Sequence, residues 1–482
     1  MGFATEPIPR HTLHPGQDGY RTPTIEDYQS SGRPGDHEYP SLLSSAIHRA
    51  HLTNSNHSIR ETFDKFEGKV EEKLEKLAWK QRIKHFTWTF FTITMATGGI
   101  ANVIYQVPFR FPGLTAIGYL FFVLNVVFFF INVSIISCRF WYYPATFRAS
   151  FVHPTESLFI PAAVVSLGTI MINISQYTLH STGKRLDEVA LFLFWTHAAT
   201  AIIASSGIYL LMWSTQTFTI AEMTPVWIFP AYPLLIMGPH AGVLAKQVSQ
   251  PASLNIIIGG FTLQGIGFLV AFMIYASFIY RLMTQKLPTA SLRPGMFVSV
   301  GPSAFTAASL INVSNSANIG LPADYMGNGA LAAMVVKIIA DWSALWLWGL
   351  AIWFFIISVG AQVSCLRHGN LTFAMTWFSF IFPNTALITS TFAVGKAFQS
   401  RGLQVIGCVL TVILILAYIG VCGAMVRALM RKQILWPQKG EDRCEGGFKC
   451  GDNSCETCNA AISAEAVMAK HWEAAFNRPN LV

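Results

Sequence analysis

The chain has 482 residues, of which 52% are hydrophobic and only 12% are charged, and its mean hydropathy is +0.43. The charged share is about half that of an ordinary soluble domain, which excludes a typical soluble globular protein and favours one that spans a membrane. The formal net charge of +8 does not indicate nucleic acid binding, because the basic residues flank apolar runs, as they do in membrane proteins.

The N-terminal region divides into two segments. Residues 1–57 are rich in Pro, Gly, Ser and His and show no apolar period, so they predict a disordered cytoplasmic tail. They contain no charged segment followed by an apolar one, so we expect no cleavable signal peptide. Residues 58–85 carry apolar residues at helical spacing among Glu and Lys, which predicts an amphipathic cytoplasmic helix. This helix either lies on the membrane surface, pairs with a partner, or is simply solvated.

The region from 86 to 430 predicts an all-α membrane protein with ten transmembrane helices. Its apolar runs are long enough to cross a bilayer core of about 30 Å, which needs roughly 20 helical residues. The predicted spans are 86–106, 114–138, 157–178, 189–213, 226–246, 253–281, 296–317, 328–359, 372–398 and 402–430.

The basic residues predict the orientation of these spans. Lys and Arg crowd the approach to the first span and follow the last one, and the loops that join even-numbered spans to the next odd one carry further Arg. Since positive charge accumulates on the cytoplasmic side, we expect both termini to be cytoplasmic.

Prolines within spans fall in odd-numbered helices, at intervals of roughly 70 to 80 residues, which indicates an internal repeat of a helical hairpin. We expect each proline to kink its helix. The repeated positions are Pro161, Pro233, Pro302 and Pro383, and the first span has Gly98 and Gly99 instead.

Polar residues follow the same division, since the odd spans are rich in Ser, Thr and Asn and the even spans are mostly apolar. Backbone freed by a proline is tolerated at membrane depth only inside protein or beside a wet cavity. The pattern therefore predicts five helical hairpins around a central pore, although these side chains could instead bond helix to helix. We expect Thr97, Asn173, Ser303 and Asn384 to donate hydrogen bonds to a substrate.

The pore is expected to accept an anion. The middle portions of the odd spans lack Asp and Glu, and hydroxyls, amides and half-helix N-termini can bind carboxylate oxygens. A neutral substrate is not excluded by this pattern. His240 follows Gly238 and Pro239 and is a candidate pore residue, whereas Lys337 and Asp341 are expected to form a structural ion pair.

The C-terminal segment over 431–482 is predicted to be a cytoplasmic tail with a cysteine cluster. Four thiolates can close a tetrahedral zinc site, but the spacing is not that of a repeated C-x-x-C pair. A flexible reduced tail is therefore favoured over a metal site, and no cofactor is expected. The four residues are Cys444, Cys450, Cys455 and Cys458.

Several motifs resemble one known family, the tellurite-resistance and dicarboxylate transporters. Within it they are most similar to the fungal malic acid transport proteins, and plant slow anion channels are more distant. The resemblance covers roughly residues 86 to 430. The motifs are PFRFPGL at 108–114, WIFPAYPLLIMGPHAG at 227–242, RPGMFVSVGPSAFTAASL at 293–310 and WFSFIFPNTAL at 377–387.

The resemblance implies a transporter, not an enzyme, that moves C4-dicarboxylates such as malate, succinate and fumarate across the plasma membrane as a homotrimer with one pore per subunit. It implies that Phe382 is a gate and that Asn384 and Thr385 face the substrate. Proton coupling through His240 or Glu222, or uptake of a monoanion, stays open. The alternatives are a sulfite efflux pump or anion channel of the same family and, from another class, a membrane receptor or intramembrane enzyme.

Overall fold

The computed structural model describes residues 79–178, 184–215, 217, 219–220, 223–290, 292–366 and 373–436. Within these residues every regular element is a helix. The expected N-terminal tail, most of the amphipathic helix, Glu222 and the cysteine cluster lie outside the described residues.

We label ten helices in chain order. They are α1 Phe91–Gln106, α2 Leu114–Tyr142, α3 Pro161–Tyr177, α4 Lys184–Thr215, α5 Pro225–Leu244, α6 Ala252–Gln285, α7 Val300–Gly320, α8 Gly329–Leu366, α9 Phe382–Ala397 and α10 Arg401–Met430. Short helices Trp79–Ile83, Ala145–Val152 and Glu156–Phe159 flank α1 and α3.

Nine helices of the described residues are long and apolar enough to cross a membrane, and they correspond to α2 through α10. The remaining helix, α1, has 16 residues and is therefore about 24 Å long, shorter than a bilayer core of about 30 Å. Its residues from Phe91 to Ile104 are nevertheless all buried. The nine helices support a multi-pass membrane protein, and a tenth crossing stays a prediction.

Odd and even helices differ in burial as they differ in composition. In an apolar 18-residue stretch of each helix, 72% to 94% of the residues are buried in α3, α5, α7 and α9. In the even helices the corresponding share is 17% to 33%. The polar residues of the odd helices are therefore enclosed by protein, while the even helices leave apolar faces for lipid.

Successive odd helices are joined by hydrogen bonds between residues at a nearly constant sequence separation. The contacts advance in the same direction along both members of a pair, from Gly98–Asn173 to Asn102–Gln176 in α1 and α3, so these helices run parallel. The offset is close to the interval between the prolines. The bonds run from Asn173 Nδ2 to the Gly98 carbonyl, from Gln247 Nε2 to the Ser175 carbonyl and from Ser316 Oγ to the Gly242 carbonyl, over 3.1, 2.7 and 3.4 Å and 75, 72 and 74 positions.

The series of odd helices closes on itself. α7 packs against α9, and α9 packs against α1. The Thr92 hydroxyl of α1 donates to the Met375 carbonyl before α9 over 3.3 Å. Gly99 allows a close approach, since a Cβ there would lie 2.8 Å from the Thr385 hydroxyl oxygen. The five odd helices thus pack in chain order with the last against the first.

The prolines act differently from the expected kinks. Pro161, Pro302 and Pro383 each stand within the first three residues of their α-helix. At these positions an N–H has no acceptor within the helix, so its absence in proline costs no helical hydrogen bond. Before α7 and α9 the chain is a 3₁₀ helix, over Arg293–Ser299 and Met375–Phe380. The helices thus break next to these prolines by a change from 3₁₀ to α geometry before α7 and α9, and by an interruption between the short helix Glu156–Phe159 and α3.

We predict that Gly98→Val lowers the thermal unfolding temperature of the purified protein in detergent. A Cβ at Gly98 would lie 2.7 Å from the Thr169 Cβ and closer still to the Asn125 amide, so valine would force α1 away from α2 and α3. Overpacking of this kind costs about 1 to 3 kcal/mol. Gly420→Val in α10 is the control, since a Cβ there meets nothing within 4 Å. Equal unfolding temperatures of the two variants would contradict the packing described.

Candidate functional site

Four aromatic rings from three odd helices form one cluster inside the molecule. The Phe382 ring lies 5.3 Å from the Phe305 ring and 6.0 Å from the Tyr232 ring, centroid to centroid. The Tyr232 ring lies 5.2 Å from the Phe229 ring. Phe382 is only 3% exposed. The hydrophobic core that contains this cluster draws residues from all five odd helices and also from α2, α4, α6 and α8, so the cluster lies in the protein interior.

The helix starts next to prolines, together with one hydrogen bond, set the positions of these rings. Phe382 begins α9 directly before Pro383, and Tyr232 stands directly before Pro233 in α5. The Tyr232 hydroxyl donates to the Val298 carbonyl over 2.6 Å, which holds its ring against the 3₁₀ helix before α7. Sequence reasoning selected Phe382 and missed Tyr232 and Phe305. The recurring pair of an aromatic residue followed by proline, in WIFPAYP and IFPN, could have found Tyr232.

Two predicted binding residues adjoin Phe382. Thr385 Oγ1 donates to the Phe382 carbonyl over 2.6 Å, and Asn384 Nδ2 donates to the Phe380 carbonyl over 2.7 Å. Asn384 Oδ1 is buried and has no hydrogen-bond partner. A buried acceptor without a donor is costly, so this oxygen is available to a ligand that brings one.

Two other predicted donors face even helices. Thr97 Oγ1 lies 2.7 Å from the Tyr418 hydroxyl of α10, and Ser303 Oγ lies 3.4 Å from the Tyr275 hydroxyl of α6. Both hydroxyls therefore lie in contacts between helices, and the structure does not bring them together with Phe382.

The remaining predicted residues also lie between helices. The His240 ring of α5 lies 5.1 Å from the Phe194 ring and 6.0 Å from the His197 ring, both on α4. Its Nδ1 atom is buried without a hydrogen-bond partner. Asn173 donates to α1 as described above, and its Oδ1 atom is likewise buried without a partner.

Even helices insert polar side chains between odd helices, which sequence reasoning missed. Asn125 of α2 donates to the Thr169 hydroxyl over 3.2 Å. Gln264 of α6 accepts the Gly238 N–H over 3.2 Å and donates to the Thr306 hydroxyl over 2.8 Å. The signal was a lone amide within an apolar run, as in LFFVLNVVFFF.

Basic residues gather where α1, α5 and α9 end. Arg110 follows α1 and donates to the Tyr105 carbonyl and the Thr115 hydroxyl, each over 2.9 Å. Lys246 follows α5, and Lys396 lies in the last turn of α9. Desolvation and the nearby ammonium of Lys396 lower the pKa of Lys246. Because the odd helices are parallel, these cations share one end of the molecule, where they would attract an anion.

The opposite end holds a buried ion pair. Arg139 Nη1 of α2 lies 2.5 Å from Glu156 Oε1, just before α3, and also donates to the Phe86 carbonyl over 2.8 Å. Ser150 Oγ donates to the same carboxylate oxygen over 3.2 Å. His153 Nδ1 accepts the N–H of Glu156 over 2.9 Å. These bonds join the approach to α1, the end of α2 and the start of α3.

Comparison with known proteins identifies the family. The profile of the voltage-dependent anion channel family, SLAC1, matches residues 85–426, which include all ten labelled helices except the last residues of α10. The match therefore covers every residue of the aromatic cluster.

Three curated relatives illustrate the similarity. The malic acid transport protein of Schizosaccharomyces pombe is 34% identical over 75% of this chain and 82% of its own length. A putative malic acid transport protein of the same organism is 30% identical over 76% of this chain and 85% of its own. A sulfite efflux pump of Arthroderma benhamiae is 23% identical over 69% of this chain and 87% of its own.

We predict that acidification destabilises the protein in part through His153. Burial lowers the pKa of His153 below its ordinary value of 6.5, with Arg139 adding to the effect against the opposing carboxylate of Glu156. The folded state then binds fewer protons than the unfolded state, so the contribution to stability is present above pH 6.5 and is lost as the pH falls below it. Protonation of Nδ1 would also break the bond from the Glu156 N–H.

The measurement is the thermal unfolding temperature between pH 7.5 and 5. Wild type should lose stability across this range, and His153→Asn, which keeps a side-chain acceptor, should lose less. The same pH dependence in both proteins would count against this role of His153.

Proposed function

The chain belongs to the voltage-dependent anion channel family, and we propose that it moves C4-dicarboxylates such as malate, succinate and fumarate across the plasma membrane through a central pore. The names of the two relatives at 34% and 30% identity support malate as the substrate. Both relatives match this chain over more than four fifths of their own length, so the proposal concerns the whole transport domain.

We assign the pore to the space enclosed by the odd helices, arranged as five helical hairpins. The contacts of each odd helix with the next, and of α9 with α1, support this arrangement. Ten crossings with both termini in the cytoplasm, and a homotrimer with one pore per subunit, complete the proposal by analogy with the family.

The gate is Phe382. The observation that carries this assignment is the contact of its ring with Tyr232 of α5 and Phe305 of α7, two helices other than its own. A side chain that contacts two other odd helices in this way would block a pore between these helices. Rotation of one aromatic side chain would then open a path without displacing a helix.

The substrate meets Asn384 and Thr385 next to the gate. No Asp or Glu occurs in α1, α3, α5, α7 or α9, so fixed charge there does not repel an anion. Backbone N–H groups in the first turn of α9 add positive potential. The free Oδ1 atoms of Asn384 and Asn173 can accept a hydrogen bond from the hydroxyl of malate or from a protonated carboxyl group.

Three other predicted binding residues do not adjoin Phe382. Thr97, Ser303 and His240 lie in contacts with even helices, so we propose that they act on the substrate path through the positions of the odd helices. Transport is either coupled to protons through His240 or Glu222, or it carries the malate monoanion. Uptake measured with and without a proton gradient, described below, tests this part of the proposal.

A second candidate is sulfite efflux. It is favoured by the similarity to the sulfite efflux pump, which extends over 87% of that protein. Sulfite is a small oxyanion, and the same absence of acidic residues from the odd helices suits it.

The proposal predicts that proteoliposomes containing the purified protein take up labelled malate above the level of protein-free vesicles. The panel should include succinate, fumarate, sulfite, chloride and nitrate, each with and without an inward proton gradient. Faster uptake with the gradient indicates proton coupling or monoanion transport. Sulfite flux without dicarboxylate flux would transfer the protein to the second candidate. A ligand-dependent signal without any flux would favour a receptor.

We further predict that Phe382→Ala increases passive malate flux several-fold and weakens control of the pore. Phe392→Ala is the matched control, since Phe392 is equally buried on α9 but packs against Gly407 of α10. Both changes leave a cavity that costs roughly 3 to 5 kcal/mol, so a loss of stability should be common to both. Flux that rises equally in both variants would show a general loosening of the helices and would remove Phe382 as the gate.

A further inference from the structure

A cluster of cations and aromatic rings joins the two ends of the described transport domain. The short helix Trp79–Ile83 comes before α1, and residues 431–436 follow α10. The Arg82 guanidinium lies 4.3 Å from the centroid of the Trp436 ring and 5.6 Å from that of the Trp79 ring. At these distances the cation interacts with the faces of both rings.

Further cations extend this cluster. Lys80 Nζ lies 5.2 Å from the Tyr142 ring and Lys84 Nζ lies 5.9 Å from the Tyr143 ring, both at the end of α2. Arg431 is exposed just after α10. We refer to the set as the terminal basic cluster. It consists of Lys80, Arg82, Lys84, Arg431 and Lys432.

Acidic residues do not balance this charge within the two segments. Neither 79–90 nor 427–436 contains Asp or Glu. Glu156 lies at the same end of the molecule, but it is buried and engaged by Arg139. The described residues of these two segments therefore carry a net positive charge, which favours binding of an anion.

The neighbouring tryptophans indicate the depth of the cluster in the membrane. Trp79 is 60% exposed and Trp141, at the end of α2, is 83% exposed. Exposed tryptophan at the end of a membrane-spanning helix is typical of the boundary between lipid headgroups and acyl chains. The cluster thus lies at headgroup depth, with apolar rings beside it.

We propose that the terminal basic cluster binds the phosphate-containing headgroup of an anionic phospholipid in the adjacent leaflet. Ammonium and guanidinium groups bind phosphate by charge and by hydrogen bonds, and the exposed tryptophan rings contact the glycerol and acyl region of the same lipid. A lipid fits this combination better than a free anion, which has nothing to place against the rings. The bound lipid would hold the segment before α1 to the segment after α10.

The test is native mass spectrometry of the purified full chain in detergent, with dioleoylphosphatidylserine or dioleoylphosphatidylcholine as the probe. Wild type should bind phosphatidylserine more tightly. The variant Lys80→Gln, Lys84→Gln, Arg431→Gln should bind phosphatidylserine at least tenfold more weakly, since each cation near a membrane surface contributes roughly fivefold. Its binding of phosphatidylcholine should not change.

The matched control is Arg110→Gln, Lys246→Gln, Lys396→Gln, which removes three positive charges at the other end of the molecule and should keep phosphatidylserine binding. The single variants Lys80→Gln and Arg431→Gln, each expected to weaken binding several-fold, give the same test with less disturbance of folding. The charge-conserving variant Lys80→Arg, Lys84→Arg should bind as wild type does.

Three results would overturn the proposal. These are equal affinity for the two lipids, equal loss of phosphatidylserine binding in both triple variants, and displacement of the lipid by inorganic phosphate at concentrations similar to that of the lipid. The last result would assign the cluster to a free anion. None of them bears on the proposed substrate, because malate flux is measured separately.

Discussion

The fold depends on the requirement that polar groups inside a membrane protein find partners in the protein itself. The odd helices carry many hydroxyls and amides, and the bonds from Asn173, Gln247 and Ser316 to carbonyls of the preceding odd helix satisfy several of them. Since the bonded residues are separated by 75, 72 and 74 positions, the same bonds also set an equivalent register between successive odd helices. The same hydrogen bonds thus both pair the buried polar groups and align the helices.

The even helices serve two environments at once. One face meets lipid, which explains why only 17% to 33% of the residues in their apolar 18-residue stretches are buried. The opposite face sends a polar side chain such as Gln264 between two odd helices, where Gly238 leaves room for it. A larger residue at such a glycine would separate the helices, and the enclosed polar groups would then lose their partners.

The sequence predicts the class of fold well because its signals are repeated. Nine of the ten expected spans have counterparts of sufficient length, and burial follows the alternation of polar and apolar helices. Individual site residues are harder to predict, since composition shows which helix is polar but not the direction of each side chain. Thr97 and Ser303 are polar residues of buried helices, yet their hydroxyls point to Tyr418 and Tyr275 of even helices. Phe382 was proposed from the family resemblance, and the proline that follows it added a local reason for the choice.

The change from 3₁₀ to α geometry next to Phe382 is consistent with the gate proposed for this residue. In a 3₁₀ helix the hydrogen bonds are poorer than in an α-helix, so Met375–Phe380 is the weaker part of the α9 span. Phe382 lies just after it, at the first residue of α9, whereas the contact of Gly99 with Thr385 lies further along the α-helix. In the proposed gate, the Phe382 ring would therefore turn away from Tyr232 and Phe305 at this junction while the contacts that align the odd helices stay in place.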